Sequence, residues 1–155
     1  MVMKQFILAA FSLLAVSALS AQKYDGNKNT VTAEQKLNEL YCTGLFKTTD
    51  GTILEVENNV SAKSYLNILD WLPGRVAGLQ VIQSRTGVSV PLIRGNVPGV
   101  YVDEMPVSLS YLQLLNVNDI AIVKIIKTPF YGGFNSGGGA IAIYTIGSEE
   151  EEEAE

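Results

Sequence analysis

The sequence contains no histidine, which excludes the Ser-His-Asp triad, most zinc sites and the commonest general base. Cys42 is the single cysteine, so no disulfide can form within the chain, and its apolar, strand-like surroundings predict a buried, unreactive thiol. Asp103 and Glu104 form an adjacent acidic pair, but neighbours on a strand point to opposite faces and would not converge on one substrate. The sequence therefore predicts a protein that is not an enzyme and holds no metal or cofactor.

The N-terminal residues have the pattern of a secretory signal peptide. Lys4 is followed by an apolar run over residues 6–18 and then by small residues up to Ala21. The run is too short for the roughly 20 residues that span a bilayer. We therefore expect a signal peptide over residues 1–21, an exported protein, and no transmembrane segment after cleavage.

Negative charge is concentrated in a run of glutamates at residues 149–153 and 155. Apart from this run and the leader's Lys4, ten basic and ten acidic residues balance. Like charges in one run repel each other, so a disordered acidic tail is expected over residues 147–155. The tail is interpreted as a solubilising end, with a docking or cation-binding tail as the alternative. A neutral body with an acidic tail disfavours nucleic-acid binding.

Local patterns divide the region before Pro73 into three parts. Residues 22–36 are polar and predict a flexible lead-in. Two apolar-rich runs between Leu37 and Glu57 flank Asp50-Gly51, a dipeptide typical of tight turns, and predict a β-hairpin. Helical spacing then predicts a helix from Ser61, its N-cap, to Leu72, with Pro73-Gly74 ending it.

Strand patterns dominate the remainder of the chain. A helix is expected near residues 109–115, and strands near residues 76–83, 88–94, 100–103, 120–127 and 140–145. Pro91 favours an edge position or a bulge for the second of these strands. The alternation of strands and helices predicts a single α/β (α+β) domain over residues 37–146, with a small mixed sheet and flanking short helices.

The glycine-rich loop over residues 132–139 does not match a nucleotide-binding motif. A P-loop needs a lysine and a hydroxyl residue after its last glycine, and a dinucleotide fingerprint needs a helix there. Gly139 is instead followed by a strand-like run. We interpret the loop as a turn that uses backbone shapes open to glycine.

Arg94 is the most prominent candidate for a binding residue. It ends an apolar strand and precedes a glycine, so its guanidinium could pair with a carboxylate through two parallel hydrogen bonds. Asp103, Glu104 and Asp119 are the candidate partners within the chain. Two interpretations remain open: a structural ion pair, and a contact with a partner or ligand.

Five segments, taken in order, resemble the plug domain of TonB-dependent outer-membrane receptors. Their sequences are most similar to plugs of Bacteroidetes-type bacteria. They are Tyr65–Val81, Pro91–Gly95, Val100–Val107 with Glu104 where the family usually has glycine, Asn116–Lys127, and Tyr131-Gly-Gly leading to Gly138–Thr145. The resemblance implies a four-stranded mixed sheet with flanking helices on the periplasmic side of the outer membrane. Only ten residues follow Thr145, and no convincing TonB box is found. We therefore expect a plug-like module without its barrel.

The resemblance suggests a protein partner in the cell envelope, with an outer-membrane β-barrel as one candidate. The expected function is a binding module; the alternatives are a plug supplied in trans to a separate barrel and a truncated receptor remnant. The expected partner-binding residues are Arg94, Tyr101, Asp103, Tyr131 and Phe134. Residues expected to shape the motif are Pro73, Gly74, Gly78, Gly95, Pro106, Asp119, Gly132, Gly133, Gly137, Gly138 and Gly139.

Overall fold

A five-stranded mixed sheet organises the chain. The computed structural model describes residues 32–131 and 136–147, so the predicted signal peptide, most of the lead-in and the acidic run lie outside the described residues. The strand order is β1-β6-β7-β4-β5, in which β4 and β7 are parallel and the other neighbours antiparallel. A separate antiparallel pair is formed by β2 and β3. The predicted α+β class with a mixed sheet is confirmed.

The elements have the following bounds. The strands are β1 Thr52–Glu55, β2 Leu79–Gln83, β3 Ser89–Ile93, β4 Gly99–Val102, β5 Met105–Pro106, β6 Ile120–Ile126 and β7 Ala140–Thr145. The helices are α1 Ala33–Tyr41, α2 Gly44–Thr48, α3 Ile68–Trp71 and α4 Leu109–Leu114, with 3-10 turns at Ala62–Ser64, Val117–Asp119 and Ser136–Gly138. None of the helices in the described part of the chain has both the length and the apolar character needed to cross a membrane.

The central strands are buried on both faces. Along β7, Ile141 and Ile143 belong to one apolar cluster, whereas Ala142 and Tyr144 belong to another. Because successive strand residues point to opposite faces, the two clusters lie on the two sides of the sheet. Each face therefore needs its own cover.

The first face carries the larger cluster. Helices α3 and α4 pack on it, together with β2 and β3, and their fully buried side chains include Ile68, Leu72, Leu112 and Ile93. The predicted strands and turn of the β2–β3 pair are confirmed, and Pro91 lies in a two-stranded ribbon with a free edge.

The second face is covered by α1 and α2, and the predicted hairpin over residues 37–57 is wrong. Only β1 is a strand there, and it pairs with β6, not with a preceding strand. Phe46 from α2 and Cys42 between the helices pack against Tyr101, Phe130 and other residues of the second cluster. The sheet is thus the middle layer of the domain.

Helix α1 begins with a reciprocal capping box. The Thr32 hydroxyl accepts from the Gln35 amide at 3.2 Å, and the Gln35 side chain accepts from the Thr32 amide at 2.8 Å. Such a box satisfies two amides that would otherwise lack partners at a helix start. The predicted flexible lead-in therefore ends earlier than residue 36, because residues 33–36 are helical.

Gly51 has a different role from the hairpin turn that Asp50-Gly51 suggested. A Cβ at this position would lie 2.9 Å from the Ile125 carbonyl oxygen and 3.1 Å from Cε of Lys124. The glycine therefore allows the chain to pass closely over β6 before β1 starts. The predicted tight turn at this dipeptide is wrong, because neither Asp50 nor Gly51 has a positive φ, and the glycine is required for close approach.

The predicted helix from Ser61 to Leu72 is interrupted. Residues 62–64 form a 3-10 turn, and α3 starts only at Ile68, where the Asn67 side chain accepts from the Leu69 amide at 2.7 Å. Asn67 is therefore the N-cap, and the prediction of Ser61 was wrong. Asn67 also forms an isolated bridge with Asn116, which holds it in an extended conformation incompatible with a continuous helix.

Lys124 is a charged residue within the buried strand β6, with only 2% of its surface exposed. Its ammonium donates to Asn38 Oδ1 at 2.6 Å and to the backbone carbonyl of Phe46. Buried charges are costly unless hydrogen-bonded, so these two acceptors on the α1–α2 side compensate the lysine. The lysine in turn fixes both helices to the sheet.

We expect Asn38→Ala to lower the free energy of unfolding by about 1.5–3 kcal/mol, because a hydrogen bond to a buried charge is lost. Asn58→Ala is the matched control, since Asn58 also bonds a charged group, Glu55, but at an exposed position. That variant should change stability by less than about 0.5 kcal/mol. Urea unfolding of the three proteins measures the difference, and equal effects would contradict the role given to Asn38.

Candidate functional site

Strand β4 is bounded by two tight turns that contain non-glycine residues in the left-handed region. Arg94 has φ 50° before the strand, and Asp103 and Glu104 have φ 46° and 63° after it. Ile93 and Asn96 exchange two backbone hydrogen bonds around Arg94 and Gly95, as in a hairpin turn. Left-handed backbone is unfavourable for residues with a Cβ, and such positions cluster at functional sites.

The Asp103-Glu104 turn is stabilised by its own carboxylates. Asp103 accepts from the amide and the hydroxyl of Thr145, both at 2.8 Å. Glu104 accepts from the Thr43 amide at 2.6 Å, from the Thr43 hydroxyl, and from the Tyr144 hydroxyl at 3.0 Å. The two carboxylates thus bind different donors, and each joins the turn to another segment.

The half-buried Glu104 is connected to buried polar side chains on the second face of the sheet. Because a carboxylate only accepts, Tyr144 donates to Glu104, and the Cys42 thiol lies in the same buried cluster as Tyr144. Burial raises the pKa of the Cys42 thiol above its ordinary value and likewise raises the pKa of Tyr144. Burial lowers the pKa of Lys124. The thiol is buried, as predicted for Cys42.

Of the two interpretations of Arg94 left open by the sequence, an ion pair with a carboxylate of the chain is not found among the described residues. Arg94 precedes β4 and Asp103 follows it, so the two residues flank opposite ends of one strand. Asp119 lies beside the Asp103 end, where Ile146 donates to its carbonyl at 2.9 Å. Arg94 is exposed, and its backbone amide donates to Gly78 at 2.8 Å.

The other predicted partner-binding residues differ in how much of each side chain is exposed. Tyr101 is only 2% exposed and packs its ring against Phe46 and Phe130, so its assignment to a partner surface was wrong. Tyr131 is 82% exposed. Asp103 is half-buried and bonded to Thr145. Phe134 lies outside the described residues.

The end of the sheet nearest Arg94 is built on two glycines with no room for a side chain. A Cβ at Gly138 would overlap the Val97 carbonyl, and a Cβ at Gly139 would overlap the Ile126 carbonyl. Gly139 also has φ 81° and accepts from the Gly99 amide at 3.0 Å. The loop after Arg94 therefore packs directly on the loop that joins β6 to β7. We call this region the glycine end of the sheet.

The remaining motif residues lie in turns. Gly74, Gly78 and Gly95 have φ between 80° and 84°, which favours glycine at each position. Pro73 follows α3, and Pro106 pairs with Tyr101 in the short edge strand β5. Gly137 has open space around its Cβ position. Gly132 and Gly133 lie outside the described residues.

Sequence reasoning missed Arg75. Its guanidinium lies 4.4 Å from the centroid of the Trp71 ring, donates to the Trp71 carbonyl, and donates to the Ser61 hydroxyl at 2.9 Å. These contacts explain the bend after α3, because the Arg75 side chain folds back onto Trp71 at the end of that helix. A signal was present in the arginine directly after Pro73-Gly74, where cations cap exposed helix carbonyls.

Within residues 32–131 and 136–147, no three Cys, Asp or Glu side chains converge to hold a metal ion. Tyr144 is buried and donates to the half-buried Glu104, and burial raises the pKa of the Cys42 thiol, which disfavours the reactive thiolate.

Solved structures show what this arrangement is similar to. The ferric yersiniabactin uptake receptor FyuA from Yersinia pestis matches 70% of this chain with a TM-score of 0.52 and 20% identity. A mutant of the ferric enterobactin receptor PfeA from Pseudomonas aeruginosa matches 74% with a TM-score of 0.51 and 16% identity. Both are TonB-dependent receptors. The chain has their plug-like fold.

This plug-like chain corresponds to a small part of each receptor. It spans 19% of the FyuA and PfeA chains. The RagAB peptide importer in the 'closed-closed' state matches 63% of this chain and 12% of its own, with 30% identity and a TM-score of 0.49. No protein-family profile and no curated protein matches the sequence.

We expect Gly139→Ala to destabilise the plug-like domain by about 1–3 kcal/mol or more, because it combines a left-handed backbone with overlap of the Ile126 carbonyl. Gly137→Ala is the matched control, two residues away with open space. It should change stability by less than about 0.5 kcal/mol. Thermal unfolding measures both variants, and a tolerated Gly139→Ala would refute the close packing at the glycine end.

We expect the free energy of unfolding to fall as pH rises above about 10.5. Burial raises the pKa of Tyr101 and Tyr144 above their ordinary 10.0, so the folded state retains protons that the unfolded chain loses. Cys42 acts in the same direction from its ordinary value of 9.0. Burial lowers the pKa of Lys124, so this residue makes stability rise with pH, but only up to its ordinary pKa of 10.5.

Tyr101→Phe tests this alkaline dependence, since it removes one titrating group and keeps the ring. The slope of stability against pH should decrease by up to about 1.4 kcal/mol per pH unit. Urea unfolding between pH 10 and 11.5 measures the slope. An unchanged slope in the variant would show that Tyr101 does not contribute.

Proposed function

We propose that this protein is an exported, non-enzymatic interaction module of a Gram-negative cell envelope. The plug-like fold supports the proposal, because the similar structures, among them the uptake receptor FyuA, are TonB-dependent receptors. The proposed domain organisation is the one predicted from the sequence. It consists of a leader over residues 1–21, a lead-in, one plug-like domain and an acidic tail.

The glycine end of the sheet is the proposed docking surface. The observation that carries the assignment is Arg94, which is exposed and held at a left-handed φ of 50° although its side chain contacts no carboxylate within the described residues. Tyr131, which is 82% exposed, leads into the loop that ends at the same region. Arginine and tyrosine are enriched among residues that dominate binding energy.

The preferred partner is another envelope protein, recognised by shape and by polar contacts to Arg94. A specific form of the proposal is a plug supplied in trans to a separately encoded outer-membrane barrel. The similarity of the fold to parts of FyuA and PfeA favours this form. A receptor remnant without a partner is the competing interpretation.

Affinity capture from gently solubilised envelopes tests the proposal. The wild-type protein is compared with a double variant, Arg94→Asn and Tyr131→Ala, in which asparagine tolerates the left-handed backbone. Partner recovery should fall at least tenfold, as expected when two anchoring contacts are lost. Mass spectrometry then identifies the partner, and an outer-membrane barrel would support the in trans form.

The matched control is Arg85→Asn with Tyr111→Ala, which removes an exposed arginine and an exposed tyrosine elsewhere. Recovery should be unchanged with this control. Recovery of the folded wild-type protein alone would refute the proposed function, and an equal loss in both double variants would refute the assignment of the glycine end.

A further inference from the structure

We propose that α1 and α2, residues 33–48, form a cover that opens from the second face of the sheet while the rest of the domain stays folded. We call this segment the helical cover. The inference goes beyond the proposed function and requires no partner.

The helical cover is held by little apolar burial. No residue of α1 is fully buried, and the buried side chains of residues 33–48 are Cys42 and Phe46. Leu40 and Leu45 are 57% and 50% exposed, so both helices leave apolar side chains in solvent. The whole cluster on the second face has ten buried residues, whereas the cluster on the first face has eighteen. Regions with few buried apolar contacts open at a lower free energy than the domain as a whole.

Polar contacts with the sheet supply much of the attachment. Glu104 accepts from the amide and hydroxyl of Thr43, and Lys124 donates to Asn38 and to the Phe46 carbonyl. Water can replace each of these partners when the helical cover opens, so their net contribution is smaller than their number suggests. These hydrogen bonds therefore fix the position of the helical cover on the sheet but contribute little net free energy to holding it there.

The strand after the helical cover can remain in place. β1 pairs with β6 through four residues, and the Val56 amide donates to the Ala121 carbonyl at 2.9 Å. Residues 49–51 join α2 to this strand, and the hinge of the proposed opening lies before Gly51, which packs closely on β6. Opening at that point breaks no pairing within the sheet.

Opening would change what the second face presents. Tyr101, Phe130 and Tyr144 would become accessible, and Glu104 and Lys124 would lose their partners in the helical cover.

Cys42 provides a built-in reporter of opening. It is the single cysteine of the chain, it is 2% exposed, and it lies between α1 and α2. An aromatic disulfide reagent can label it only in an open state. At low reagent concentration the labelling rate is proportional to the population of that state.

The experiment measures Cys42 labelling in the full chain at increasing subglobal urea concentrations. The logarithm of the rate should rise with a slope well below that of global unfolding, because the slope scales with the surface exposed. A slope equal to the global one would overturn the proposal, since labelling would then require complete unfolding.

Two variants sharpen the test. Thr43→Val keeps the side-chain shape but removes the hydroxyl donor to Glu104, and should accelerate labelling about tenfold. Ile68→Val removes one methyl group from the first face and should lower global stability while labelling stays within twofold of wild type. Labelling accelerated by Ile68→Val in step with its loss of global stability would overturn the proposal. An unchanged rate in Thr43→Val would refute the attachment through Glu104.

Discussion

The burial of β6 and β7 on both faces is the constraint on which the rest of the structure depends. Every residue from Ile120 to Ile126 is buried, as are the first five residues of β7. A sheet with two apolar faces must be covered twice. The first cover comes from segments between β1 and β6, and the second comes from the chain before β1. The position of α1 and α2 follows from this requirement.

The two covers are attached by different physical means. The first is held by apolar side chains that interdigitate with the sheet, such as Ile68 and Leu112. The second depends on Lys124 and Glu104, which are placed on strand β6 and at the turn after β4. Hydrogen bonds depend on direction, whereas apolar burial is roughly proportional to area. The second face therefore gains a defined arrangement of its helices without gaining comparable strength.

Sequence reasoning recovered the elements whose signal is local and failed where tertiary contacts decide. The β-branched run at residues 120–127 and the strand at residues 140–145 are predicted from composition alone, and both were confirmed. The hairpin was wrong because Asp50-Gly51 has the composition of a turn, whereas Gly51 is required by a close approach to Ile125. The Thr32–Gln35 capping box was a local signal for α1, but the apolar spacing that follows it is short.

The candidate site was less predictable from the sequence. It depends on which residues with a left-handed backbone have side-chain hydrogen bonds that offset the conformational cost. Asp103 and Glu104 both have positive φ, and each carboxylate accepts at least two hydrogen bonds that stabilise the turn. Arg94 has a similar backbone conformation, yet within the described residues its side chain gains no such bond. A strained residue persists when its surroundings or its function require it. Hydrogen bonds of the side chains stabilise Asp103 and Glu104, whereas only backbone hydrogen bonds, between Ile93 and Asn96 and from Arg94 to Gly78, hold the turn at Arg94 and leave its guanidinium exposed.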